Sequence, residues 1–187
     1  MAIAADAGQP LPGPPLTWSD LRRLPEDGSR HELVDGELLV TPAPVPLHQR
    51  IVLRLASLLD QVAPPDYEVF AAPVDWYVSP TTVFEPDVIV VPAASVGARC
   101  LEGTPLLAVE VLSPTTRHRD VGLKRRAYAE AGLGWYWVVD PAVPSLTAYR
   151  LDGGHLVEQV TVSGDAAYDA EEPVKAQVVP RRLVEPR

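Results

Sequence analysis

Residues 85–112 read EPDVIVVPAASVGARCLEGTPLLAVEVL. The runs EPDVIVV and PLLAVEVL are rich in β-branched and apolar residues and are separated by Pro, Ser, Thr and Gly, which reads as two strands. Joined by the loop from Pro92 to Pro105, they are expected to pair as antiparallel neighbours. Both hold acids, with Asp87 near the start of the first and Glu110 near the end of the second. Antiparallel pairing puts both carboxylates at one end of the sheet, and the register that pairs Val91 with Leu106 also opposes Asp87 to Glu110. Directly opposed residues have Cβ atoms roughly 4.5–5.5 Å apart. Two carboxylates that close in an apolar sheet need a compensating positive charge or a proton. A hard divalent ion such as Mg²⁺, which takes oxygen ligands, is one candidate; the ammonium of Lys124 is another. In a plainer reading both are strand-end acids, each paired with a nearby arginine.

Upstream, Thr17-Trp18-Ser19-Asp20 has the spacing of a capping box, predicting a short helix to about Leu24. HELV and ELLV flank Asp35-Gly36, the strongest short hairpin signal. Apolar residues at Ile51, Leu55, Leu58, Leu59 and Val62 predict an amphipathic helix over 47–62, ended by Pro64-Pro65. YEVFAA and VDWYVS add two strands. Downstream, residues 117–131 read as a helix capped by Thr115 or Thr116 and stopped by Gly132. WYWVVD then reads as a strand buried on both faces, and SLTAYRL and HLVEQVTV flank a turn as a final hairpin. The expected fold is α/β or α+β, built on one mixed central sheet flanked by helices. Residues 1–15 read as a flexible leader, 16–164 as one domain and 165–187 as a weakly structured tail.

Composition narrows the function. The chain has 187 residues, 47% of them hydrophobic and 22% charged, which suits one soluble domain. No apolar run approaches the roughly 20 residues of a membrane span, and the N-terminus lacks the basic start and apolar core of a secretory signal; a cytoplasmic protein is expected. Cys100 is the sole cysteine, so neither a disulfide framework nor a Cys-rich metal site is available. The net charge of −9 repels nucleic acid at long range, so a role there requires a local basic patch. Arg22, Arg23 and Arg30 form a loose group; Arg117, Arg119, Lys124, Arg125 and Arg126 form a denser one. An esterase or peptidase using Ser113 or Cys100 is disfavoured, because neither lies in a G-x-S-x-G pattern.

The chain has fourteen arginines and two lysines, which makes Lys124, next to Arg125-Arg126, conspicuous. A compact ammonium differs from a guanidinium in hydration and in how readily its pKa moves. A surface ion pair with Asp120, four residues earlier on the predicted helix, is the alternative explanation.

The ordered set E-P-D-V, V-E-V-L-S-P-T-T, R-D-x-G-x-K-R-R-A-Y-A-E-A-G and Y-W-V-V-D-P, with R-H-E-L-V-D-G-E-L and His48 upstream, resembles the Uma two family of restriction-endonuclease-like proteins. That family lies within the PD-(D/E)XK nuclease superfamily, and the likeness runs from about Thr17 to Tyr149. The resemblance implies an Mg²⁺-dependent endonuclease, with Mn²⁺ as a substitute ion and DNA as the expected nucleic-acid substrate. Asp87 and Glu110 would be metal ligands, with the carbonyl of Val111 completing the protein's share. Leu112 stands where the superfamily pattern has lysine, and the resemblance implies that Lys124 replaces it from the following helix. Glu32 matches an acid that can face the metal from a neighbouring element; an exposed hairpin acid is the alternative. His48 and Asp120 would be supporting groups, although a helix-start histidine is also a common structural feature, and Tyr128 reads as core. Arg117, Arg119, Arg125 and Arg126 would contact phosphates on the side of the site. A homodimer is expected from the habit of nucleases that cut two strands. The rival, from another class, is a non-catalytic nucleic-acid-binding or interaction module on the same fold.

Overall fold

Asp35 and Gly36 both take positive φ, 52° and 83°, the conformation of a type I′ turn whose twist matches a hairpin. They join β1 (Arg30–Val34) to β2 (Glu37–Thr41). The structure is a computed structural model that describes residues 14–25, 28–113 and 119–186, with the side chains at 119 and 120 outside that description. Before the hairpin, α1 (Trp18–Leu21) carries the expected capping box, Asp20 Oδ2 accepting the Thr17 backbone N–H at 3.0 Å. After it, α2 (Pro46–Val62) starts with a proline in its first turn, where no backbone donor is lost. It buries Ile51, Val52, Leu55 and Leu59 along one face.

The remaining elements are β3 (Tyr67–Ala71), β4 (Trp76–Ser79), β5 (Thr82–Phe84), β6 (Val88–Pro92), β7 (Leu101–Glu102), β8 (Leu107–Val111), α3 (Arg125–Glu130), β9 (Trp135–Asp140), β10 (Ser145–Asp152), β11 (His155–Ser163), β12 (Tyr168–Ala170), β13 (Ala176–Val178) and α4 (Pro180–Val184). The strands divide between a six-stranded sheet ordered β11-β10-β9-β8-β6-β3 and a five-stranded sheet ordered β2-β1-β5-β4-β7, with β12 and β13 forming a separate hairpin. The six-stranded sheet is the expected mixed central sheet, but it does not stand alone: a five-stranded and a two-stranded sheet accompany it. The reason is local: the stretch between VDWYVS and EPDVIVV contains β5, which pairs back on β4 and bridges to β1 instead of extending the central sheet.

β6 and β8 are antiparallel in the expected register, with Val88 opposite Val109, Ile89 opposite Ala108 and Val90 opposite Leu107. β8 runs parallel to β9, so the six-stranded sheet is mixed. Side chains alternate across its two faces. Val88, Val90, Leu107, Val109, Val111, Trp137 and Val139 pack with α2, the β12–β13 hairpin and α4. Ile89, Val91, Ala108, Leu112, Tyr136 and Val138 pack with Trp76, Phe84 and Leu101 of the second sheet and with Tyr128 of α3. Glu110, in phase with Ala108 and Leu112, belongs to this second face.

Two further expectations change. The helix read over 117–131 enters through a π-helical turn, Arg119–Lys124, before α3; its proposed caps Thr115 and Thr116 lie outside the described residues. Gly132, at φ 81°, ends it as expected. Residues 165–187, read as weakly structured, instead include β12, β13 and α4. Ala170, Val174, Ala176, Val178 and Leu183 are buried in the core beside α2. Arg54 of α2 fastens this segment: Nη1 donates to the carbonyls of Arg182 (2.7 Å), Leu183 (3.0 Å) and Glu185 (2.7 Å), which meets the unsatisfied carbonyls of a helix end. No helix among the described residues is long and apolar enough to cross a membrane.

Candidate active site

Four polar residues are sealed inside this fold: Glu32 (1% exposed), Asp87 (2%), Glu110 (0%) and Lys124 (2%). Ionised groups removed this far from water persist only when paired and hydrogen-bonded. β8 and the loop before β6 bring Glu110 and Asp87 to one end of the central sheet. β1 delivers Glu32, and the π-helical turn delivers Lys124.

Lys124 Nζ lies 2.8 Å from Glu32 Oε2 and 2.9 Å from Glu110 Oε1. Tyr128, four residues after Lys124 and so on the same helical face, donates its hydroxyl to Glu110 Oε1 at 2.6 Å. Burial first, then the nearby charges of Glu110 and Glu32, push the Tyr128 phenol well above its ordinary pKa. Glu32 Oε1 accepts the backbone N–H of Glu85 at 2.8 Å. Lys124 thus joins two acids as a buried bridge, so a surface pair with Asp120 does not describe it, and Glu32 is not an exposed hairpin acid.

Asp87 is held by a different set. Its Oδ1 accepts Arg30 Nη1 at 2.6 Å, and Oδ2 accepts the Val111 backbone N–H at 2.7 Å and lies 3.1 Å from His48 Nε2. Burial pushes its carboxyl up, but the His48 hydrogen bond, the charges of Arg30 and His48 and the Val111 amide outweigh it. The pKa falls well below the usual carboxylate range, so Asp87 is ionised. Arg30 Nη1 also donates to the Glu85 carbonyl at 3.0 Å. Burial pushes the neighbouring Glu85 carboxyl up to about 7.

Asp87 and Glu110 therefore occupy one end of the sheet but are paired separately, Asp87 with Arg30 and Glu110 with Lys124. Arg30 was legible only as part of a loose surface group. The missed signal is that Arg30 and Glu32, two residues apart, share one face of β1. Val111 meets Asp87 through its N–H. Arg117 and the side chains of Arg119 and Asp120 lie outside the described residues. Arg125 and Arg126 are exposed and line a cavity of about 450 Å³ with Gly154, His155 and Leu156. Arg125 stacks there 5.3 Å over the Tyr149 ring. That cavity shares no lining residue with the one beside Asp87. Cys100 is buried, and burial raises its thiol pKa, the opposite of an activated nucleophile.

The cavity beside Asp87 has a volume of about 870 Å³ and is also lined by Arg30, His48, Glu85 and Ser113. Asp87 lines this cavity, and Glu110 is buried at the same sheet end outside its lining. Asp87 and Glu110 offer carboxylate oxygens, and three acids, Glu32, Asp87 and Glu110, face two permanent cations, Arg30 and Lys124, leaving formal negative charge in excess. Among the described residues no group of three His, Cys, Asp or Glu side chains is arranged to hold a metal ion.

The fold is shared with a solved structure. A solved structure described as a "putative nuclease belonging to DUF820", from Anabaena variabilis ATCC 29413, superposes with a TM-score of 0.68 at 21% identity, covering 83% of this chain and 89% of that one. At that identity the likeness is one of fold. Residues 18–181 match Uma2, a family described as "Putative restriction endonuclease". The chain belongs to the Uma2 family. No curated protein matches it.

Proposed function

We propose that the protein is a divalent-metal-dependent endonuclease that hydrolyses phosphodiester bonds in DNA, with Asp87 and Glu110 as metal-binding carboxylates and Lys124 as the assisting cation. One observation carries the reading: a buried lysine bridges the second-strand acid Glu110 and Glu32 at the same sheet end as Asp87. The carboxylates of Asp87 and Glu110, with a backbone oxygen assigned to Val111, would hold Mg²⁺ or Mn²⁺. When bound, the ion supplies Lewis-acid polarisation of a phosphate and acidifies a water.

The chain's own residues do the rest. Lys124 Nζ orients the attacking water or offsets charge on the pentacovalent phosphate. Glu32 and Tyr128 fix where Lys124 and Glu110 stand, and His48 and Arg30 fix Asp87. Cutting both strands of a duplex would call for a homodimer.

The rival reading, a binding module without cleavage, draws on two observations: Asp87 and Glu110 are already engaged by Arg30 and Lys124, and the chain carries a net charge of −9. Nicking of supercoiled plasmid separates the two. The nuclease reading expects Mg²⁺-dependent nicking by wild type that EDTA abolishes and Asp87→Asn lacks. Intact plasmid with Mg²⁺ and with Mn²⁺ would favour the binding module.

A further inference from the structure

Beside Asp87, three independent features converge on one empty space. The first is Arg30. Its side chain is 15% exposed and its guanidinium carries five N–H donors. Nη1 serves both Asp87 Oδ1 and the Glu85 carbonyl, yet Nε is a buried donor with no hydrogen-bond partner, Glu32 Oε2 standing 3.9 Å away. A buried donor left unmade costs about 1–3 kcal/mol, so such an atom in a cavity wall points to a ligand. The second is His48, which lines the same cavity and whose Nε2 lies 3.1 Å from Asp87 Oδ2, so that Asp87 is held on one oxygen by His48 and on the other by Arg30. The third is the N-terminus of α2, a 17-residue helix with no side-chain cap on Val45. Val45, His48 and Gln49 all line the cavity, so the positive end of the helix dipole opens onto it.

These features share one ligand chemistry. An oxyanion accepts from a guanidinium fork, sits at a helix N-terminus and needs no aromatic platform. Arg22 adds positive character to the wall; Asp75 and Glu85 oppose it. Asp87 itself competes for the guanidinium, since Arg30 Nη1 is committed to it at 2.6 Å.

We infer that the cavity between the start of β1 and the N-terminus of α2 is a phosphate-binding subsite, in which Arg30 and the N-terminus of α2 grip a backbone phosphate of the nucleic acid and the Asp87 carboxylate restrains Arg30 until substrate arrives. The inference rests on the nuclease reading for the identity of the ligand, but it assigns binding to residues outside the proposed metal ligands. Arg30 is then a shared cation. It neutralises Asp87 in the resting protein and turns its free donors to phosphate in the complex, so weakening its tie to Asp87 strengthens phosphate binding.

Fluorescence anisotropy of a labelled oligodeoxythymidine at low salt, without divalent ions, tests this on the full chain. Arg30→Gln is expected to weaken binding about ten- to a hundredfold, the scale of lost charge-assisted hydrogen bonds. Arg99→Gln, the same charge change at an exposed position outside the cavity, should leave affinity unchanged. Asp87→Asn should tighten binding, and the gain should vanish in Asp87→Asn/Arg30→Gln. Arg30→Lys, which keeps the charge but loses the fork, should fall between wild type and Arg30→Gln, and it carries the test if Arg30→Gln does not fold. Competition by thymidine 5′-phosphate or inorganic phosphate as effective as that by unlabelled oligonucleotide would assign the site to free phosphates and overturn the backbone assignment.

Wild type that binds no oligonucleotide, or equal losses for Arg30→Gln and Arg99→Gln, would overturn the subsite. Binding needs no turnover, so the two readings fail separately. Nicking by wild type with oligonucleotide affinity unchanged in Arg30→Gln removes the subsite and keeps the nuclease. Arg30-dependent binding without nicking does the reverse.

Discussion

Lys124 Nζ lies 2.9 Å from Glu110 Oε1 although the lysine comes from a helical turn and the glutamate from β8, fourteen residues earlier. The position two after Glu110 is the buried apolar Leu112. The cation beside Glu110 therefore comes from the helical turn and not from the strand. A guanidinium is larger and planar, and the compact site between two carboxylates explains why an arginine-rich chain keeps a lysine here.

Replacing Lys124 with Met tests that arrangement. It leaves Glu32 and Glu110 buried without their shared ammonium, and breaking a buried ion pair from one side costs about 3–5 kcal/mol. Differential scanning calorimetry should show Tm lowered by roughly 10 °C at this chain length. Where wild type nicks DNA, the variant should be slower by about 10² to 10⁴.

Tyr128→Phe removes the hydroxyl that Glu110 Oε1 accepts at 2.6 Å while keeping the ring that packs edge-on against Phe84 and Tyr136. A hydrogen bond to a charged group is worth about 1.5–3 kcal/mol. The native phenol holds its proton more tightly than an unfolded one, so its contribution is full below about pH 10 and is lost as pH rises beyond that. Urea unfolding from pH 8 to 11 should show wild type losing its advantage over Tyr128→Phe at the alkaline end.

Asp87 has the opposite sign. Its native carboxyl is more acidic than in the unfolded chain, so its stabilisation is present above about pH 4 and fades as pH falls further. Wild type should exceed Asp87→Asn in urea midpoint at pH 7, and the gap should narrow between pH 5 and pH 3. A constant gap would mean that the Arg30 and His48 contacts do not hold the ionised form.

Arg54→Ala removes the donor shared by three carbonyls around α4. The loss is expected at about 1–3 kcal/mol, with hydrogen exchange rising first in residues 168–184 if that hairpin and helix open as a unit.

The elements legible from sequence were those with one strong period. Apolar spacing marked α2, and Asp35-Gly36 marked the first hairpin. The β6–β8 register followed from pairing the strand ends nearest the connecting loop, Val91 with Leu106, and the observed pairs keep it. Three-residue β5 and two-residue β7 are too short to show alternation. In the C-terminal segment the buried residues are small, Ala170, Val174, Ala176 and Val178, and sit among acids and Pro173, so composition hid a packed hairpin. At the site, Lys124 stood out by rarity. Arg30 did not, because its partner Asp87 lies 57 residues away and the pairing exists only once β1 docks against the loop before β6. Tyr128 looked like core and is core; its hydroxyl acquires a role only because Lys124, one turn before it, reaches the same carboxylate.

The central claim is that Asp87 and Glu110 bind a divalent cation, and isothermal titration of Mg²⁺ and Mn²⁺ into wild type and Glu110→Ala addresses it directly. Saturable binding by wild type that disappears in Glu110→Ala is the predicted result. No binding by wild type, or equal binding by both proteins, would contradict the account and leave Glu110 as a structural acid tied to Lys124.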